Sequence, residues 1–195
     1  MPGPELPVAL YGHCMLTLSP DETDSRTVLI IGGYHGRVDE SYGVSSEVWA
    51  FSFKSDSESD PKVVQINNLN QPRMKHSCGV LKVGNSFKAV VAGGFNGESL
   101  SSVEVLDYQH VEHKLYSLWS TNVASKMPFP LHAGRFVSSP GCTSLTLLGG
   151  YFSYPRAGVV SNTALSLDAD LNWTVKNGSM LRRADFAAIL FNRNC

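Results

Sequence analysis

The sequence has no unbroken apolar stretch approaching about 18 residues, so no membrane-spanning helix is expected. Its opening, MPGPELPVALYGHCM, lacks the basic end and apolar core of a secretory leader, which by itself favours a cytoplasmic chain. Charge of one sign is never concentrated: 16 Lys and Arg stand against 17 Asp and Glu, for a net charge of −1. Without a basic patch there is no electrostatic footprint for a nucleic-acid backbone or an anionic membrane surface, and neither partner is expected. The four cysteines form no CxxC, and the only histidines close to them are His13 and His76. Zinc-site spacing is therefore absent, and no metal or other cofactor is expected. No segment keeps a helical period, which leaves an all-β chain.

What is present is a repeat. Ser86 to Tyr108 reads as an apolar strand ending in Gly93-Gly94, a short polar loop, and an alternating strand from Val103. Weaker copies flank it: Thr27 to Tyr34 leads through a loop into Ser45 to Phe53, and Ser144 to Phe152 leads into Ser161 to Asp168. The first glycines of the pairs, at 32, 93 and 149, are 61 and 56 residues apart. A period on this scale marks one supersecondary unit repeated. Each pair lies between two strands and never opens a helix, so it is not a phosphate-cradling loop.

Each unit is expected to carry four strands. In the first these are Ala9 to Leu18, the apolar run Val28 to Ile31 closed by its double glycine, Glu47 to Phe53, and Lys62 to Asn67 after the polar turn KSDSESDP. Residues 1–8 are an irregular lead-in, 9–70 the first and degenerate unit, 71–128 the second and 129–181 the third. Residues 182–195, containing RRADFAAILF, read as the first strand of a further unit. Four strands per repeat is the recipe for a propeller blade, and the chain holds about three of them where a closed ring needs roughly four to eight.

At this point the units resemble kelch repeats. The central one carries Arg73, His76, Gly93, Gly94, Ser101, Ser102, Val103, Asp107 and Trp119. The third carries His132, Gly149, Gly150, Ser161, Asp168 and Trp173; the first carries His13, Gly32, Gly33, Ser45 and Ser46, with Trp49 displaced into the third strand. The resemblance implies an incomplete kelch-type β-propeller. The residue types also make sense physically. Paired glycines permit positive φ where backbones crowd, each Trp supplies apolar area while its N–H seeks an acceptor, and the Asp is expected to close the turn after the third strand by accepting backbone amides.

His13-Cys14 and His76-Ser77-Cys78 read as recurrent core positions rather than nucleophile and base. Galactose oxidase-like copper chemistry needs convergent ligands that His35, Tyr42, His110 and His113 do not visibly form. Ser166 to Trp173 resembles a sialidase Asp-box with Asp170 in place of Gly, and no arginine cluster accompanies it. Asn172-Trp173-Thr174 and Asn177-Gly178-Ser179 are glycosylation acceptors if the chain is secreted, which would suit an architectural part of a larger extracellular protein.

The resemblance instead points to the loops after the double glycines, a face that holds protein or peptide partners in kelch propellers. The partner-binding residues there are Tyr34, His35, Arg37, Phe95, Asn96, Glu98, Ser99, Tyr151, Tyr154 and Arg156. Aromatic and Arg side chains are the types enriched at interaction hot spots. The expectation is a binding module rather than an enzyme, its partner a protein or peptide, with self-association through the open face of an unclosed arc.

Overall fold

A computed structural model describes residues 9–18, 25–35, 43–54, 62–111, 114–152, 158–176 and 184. Among these the chain is all-β. It forms three antiparallel meanders in sequence order, a small hairpin, and one short 3-10 turn at Pro140–Cys142.

The first sheet contains β1 (Leu10–Tyr11), β2 (Cys14–Leu18), β3 (Ser25–His35), β4 (Gly43–Lys54) and β5 (Lys62–Ile66), ordered β1-β3-β4-β5 with β2 also on β3. The second is β6 (Ser77–Val83), β7 (Ser86–Ala92), β8 (Val103–Val111) and β9 (Lys114–Ser120), paired in that order. The third orders β10 (Arg135–Ser138), β11 (Ser144–Leu148), β14 (Ala164–Asp168) and β15 (Trp173–Lys176). Between β11 and β14, β12 (Tyr151–Phe152) and β13 (Val159–Val160) make the hairpin, in a stretch expected to be loop.

Two expectations for the first sheet need correction. The span Ala9 to Leu18 is broken into β1 and β2 at Gly12, which has φ +65°. Nor does the double glycine end β3: a register shift between Ile31 and Gly33 absorbs it, and Tyr34 and His35 go on to pair with Tyr11 and Leu10 on one side and Val44 and Gly43 on the other. A bulge of this kind bends a strand without ending its ladder. The expected further strand within residues 182–195 lies outside the described residues, Ala184 excepted.

The sheets stack through alternate side chains, as period-two strands require. In β7, Ala89 and Val91 turn toward the first sheet and join Leu16, Leu18, Leu29, Ile31, Val48 and Ala50. Val90 and Ala92 turn the other way and join Leu145, Leu147, Leu165 and Leu167 of the third. That two-sided burial explains why this strand reads as an unbroken AVVA. The two tryptophans do equivalent work. Trp119 donates its indole N–H to Asn67 O at 3.1 Å, and Trp173 donates to Ser125 O at 3.0 Å while stacking on Phe136. Each thus ties a sheet's fourth strand to the segment that leaves the sheet before it.

Cys14 and Cys78 form a disulfide joining the first and second sheets, and Cys142 is disulfide-bonded as well. The expectation that Cys14 and Cys78 share one recurrent core position is corrected by the registers. Cys14 stands opposite Ile31, just before Gly32, whereas Ser77, not Cys78, stands opposite Ala92, just before Gly93. A one-residue offset turns a side chain to the other face of its strand. Cys14 therefore faces the second sheet and Cys78 the first, and the two sulfurs meet.

Candidate functional site

The candidate face is built outward from the double glycines. Gly93 and Gly94 have φ of +66° and +103°, and a Cβ on Gly94 would lie 2.9 Å from Met74 O. A side chain there faces both left-handed strain and backbone collision. Without it, Gly94 N reaches Leu131 O at 2.9 Å, just as Gly33 N reaches Arg73 O at 2.9 Å in the preceding unit. These bonds lock the end of one sheet's second strand onto the segment entering the next sheet. A parallel ladder runs beside them: Lys75 N donates to Gly12 O and Ala133 N to Lys75 O, and all three residues have positive φ.

The residue after each pair then projects at one end of the assembly. Tyr34 pairs with Tyr11, Phe95 with Met74, and Tyr151 with His132. The Tyr11 and Tyr34 rings lie 5.1 Å apart. Across the second and third sheets the rings form a continuous row, with Phe95 tilted at 57° and 5.3 Å from His132, and His132 stacked 5.4 Å from Tyr151. Ser99, 8% exposed, is bridged back to Phe95 and holds the imidazole from below, its Oγ 2.7 Å from His132 Nδ1 and 3.4 Å from Tyr151 O. A serine hydroxyl on an imidazole is the geometry of a nucleophile and its base. Here Oγ also reaches a backbone carbonyl, and His132 contacts two further rings. The pair works as a clasp between the second sheet's loop and the third sheet.

Asn96, Gly97 and Glu98 form the exposed tip beyond this row, closed by Asn96 N donating to Glu98 O at 3.0 Å. His35 ends β3, with its Nδ1 buried and unbonded among the described residues. The structure thus gathers Phe95, Ser99 and Tyr151 with Asn96 and Glu98 at their margin. It places Tyr34 and His35 on the equivalent edge of the first sheet. Arg37, Tyr154 and Arg156 lie outside the described residues.

His132 is the residue this site most depends on, and sequence reasoning assigned it only to the repeat. The signal that finds it is its offset: it stands three residues ahead of β10, as Tyr11 does of β2 and Met74 of β6, and each of these pairs with the residue after a double glycine.

A buried network supports the face from behind. Arg73 and Glu104 form a fully buried ion pair at 2.7 Å. Arg73 Nη1 also donates to Gly93 O and Ser102 O, while the Glu104 carboxylate accepts from Asn70 N, Asn70 Nδ2 and Gln71 N. Burial lowers the Arg73 pKa, and the Glu104 charge opposes that shift. Beside it His76 is completely buried, with both ring nitrogens lacking a hydrogen-bond partner among the described residues. Burial first, and then the charges of Arg73, His13 and Arg135, push its pKa down to about 3, so it stays neutral.

The expected role of the aspartates divides. Asp168 does close its turn, Oδ1 accepting from Asp170 N at 3.0 Å and Asn172 N at 2.9 Å. Asp107 does not: β8 runs on past it to Val111, and its carboxylate pairs with Lys88 at 2.7 Å in an exposed cross-strand bridge. A strand that continues leaves no turn for that carboxylate to cap. Among the described residues no group of three or more His, Cys, Asp or Glu is placed to hold a metal ion, and no helix is long and apolar enough to cross a membrane.

No family model and no curated protein matches the chain. A solved structure described as "Structure of YjhT" is similar to it, with a TM-score of 0.59 at 14% identity, over 89% of this chain and 47% of that one. The chain therefore spans about half the length of that structure, and at this identity the likeness is one of all-β fold alone.

Proposed function

We propose that the chain is a segment of a kelch-type β-propeller that acts as a binding module, holding a protein or peptide on the face formed by the loops after the double glycines. Three successive antiparallel meanders, the first of five strands and the other two of four, joined ahead of β2, β6 and β10 by the Gly12, Lys75 and Ala133 ladder, support the blade reading. The observation that carries the function is the Phe95, His132 and Tyr151 row. Rigid aromatic side chains set on a braced scaffold lose little entropy on binding and supply most of the energy at small interfaces. Asn96 and Glu98 provide the polar rim.

The test is selection of a displayed peptide library on the immobilised, disulfide-intact chain. Peptides should enrich, and Phe95→Ala or Tyr151→Ala should weaken their binding about 30-fold, the effect of losing a hot-spot residue. Selected peptides that bind both variants as well as the parent chain would overturn the reading, and so would a library that yields no binder. The same reading makes the chain an open arc. The face of β2 turned away from the second sheet exposes Met15 to 60%, and self-association is expected; a strict monomer by light scattering would refute that part.

A further inference from the structure

We infer that Asn172 is an N-glycosylation site and that the chain matures in an oxidising secretory compartment. The inference does not depend on what the double-glycine face binds. Two independent observations meet in it. The first is covalent: Cys14 is bonded to Cys78, Cys142 is also disulfide-bonded, and among the described residues no cysteine is free. Disulfides that join structural elements form and persist in secreted proteins and are rare in the reducing cytosol.

The second observation is the setting of the acceptor triplet Asn172-Trp173-Thr174. Trp173 is turned inward, where its ring stacks on Phe136 and its N–H is held by Ser125 O. Asn172 and Thr174 on either side of it are left exposed. The backbone of Asn172 is tied by Asp168, through its N–H to Oδ1 and its carbonyl to Asp168 N, while its side-chain amide makes no hydrogen bond among the described residues. A turn that engages the backbone and leaves the amide and the hydroxyl outside presents both groups a transferase needs.

The donor class is a polyprenyl-diphosphate-linked oligosaccharide. Asn172 Nδ2 forms a bond to the anomeric carbon of its first N-acetylglucosamine, the bond from that carbon to the diphosphate breaks, the polyprenyl diphosphate departs, and the amide loses one proton. The register also fixes where the glycan sits. Ala164 pairs with Leu148 next to the double glycine, whereas Asp168 pairs with Ser144 at the other end of the sheet. The turn bearing Asn172 follows Asp168, so the glycan leaves the Phe95, His132 and Tyr151 row uncovered.

The full chain, directed through the secretory pathway of cultured eukaryotic cells, tests this by peptide mapping before and after peptide-N-glycosidase. The Asn172 peptide should carry glycan, and the enzyme should convert that residue to Asp. Asn172→Gln and Thr174→Ala should abolish the modification at this position, Thr174→Ser should keep it, and Asn177→Gln should leave it unchanged. Alkylation before reduction should find Cys14 and Cys78 protected. An unmodified Asn172 peptide in the secreted chain, glycan that survives Thr174→Ala, or freely alkylated Cys14 and Cys78 would each overturn the inference.

Discussion

The two junctions between the three sheets solve one packing problem by different chemistry. Where the first sheet meets the second, the joining segment is fastened by polar and covalent devices: Glu104 collects Asn70 and Gln71, Arg73 neutralises Glu104, and Cys14 is bonded to Cys78. Where the second meets the third, leucines stand in place of the ion pair. Leu131 occupies the position of Arg73, since its carbonyl takes the Gly94 amide as that of Arg73 takes the Gly33 amide. Leu165 occupies the position of Glu104, each standing opposite the residue two before its double glycine. A buried ion pair in one unit is thus a buried leucine pair in the next, and the backbone accepts both. The repeat fixes shape at these positions, while the polar version adds bonds that hold the joining segment.

The largest effect should come from splitting the ion pair. Arg73→Ala or Glu104→Ala leaves a fully buried charge alone and should cost about 3–5 kcal/mol in urea unfolding. The double variant Arg73→Leu/Glu104→Leu, which copies the third unit, should recover most of that loss. Losses that simply add would show that the two positions are not interchangeable between units.

Next, Cys14→Ser with Cys78→Ser opens a loop with a sequence separation of 64 and should cost about 4 kcal/mol by chain entropy. Hydrogen exchange should then rise in β3 well before β11. Leu145→Ala should do the reverse, costing about 3 kcal/mol and loosening the third sheet while β3 stays protected. Equal loosening of all three sheets by either change would mean the junctions are not separable.

The smallest effect is pH-dependent and belongs to the first junction, where His76 meets Gly32 and Gly94. The His76 pKa is depressed to about 3 in the folded chain from 6.5, so the unfolded chain takes up the proton first as pH falls. Its contribution is complete above about pH 7 and is lost progressively between 6.5 and 3, amounting to about 2 kcal/mol by pH 5. His76→Gln should flatten the stability profile across that window. An unchanged slope in the variant would assign the acid sensitivity to other groups.

Much of this was legible in the chain. Alternation and the glycine pairs located the strands of the central unit to within a few residues, because β7 is apolar on both faces and Gly84-Asn85 closes its hairpin with β6. The first unit was harder, since a bulge preserves pairing through glycines that look like a stop. Of the site, Phe95, Ser99 and Tyr151 were found from their offset to the glycines. His132 and Glu104 were not, because each acts only through a partner about 30 residues away or from another sheet.

The sequence by itself determined the all-β class, the threefold repeat and the positions where only glycine fits, since these follow from local periodicity and steric limits. The tertiary structure alone decided which residues face one another. Cys14 meets Cys78 because their registers differ by one residue and so turn them to opposite faces. The Arg73 charge is balanced because Glu104 is folded against it, and His132 becomes the centre of an aromatic row because two sheets bring Phe95 and Tyr151 to it. Register and stacking are relations between distant segments, and no local pattern specifies them.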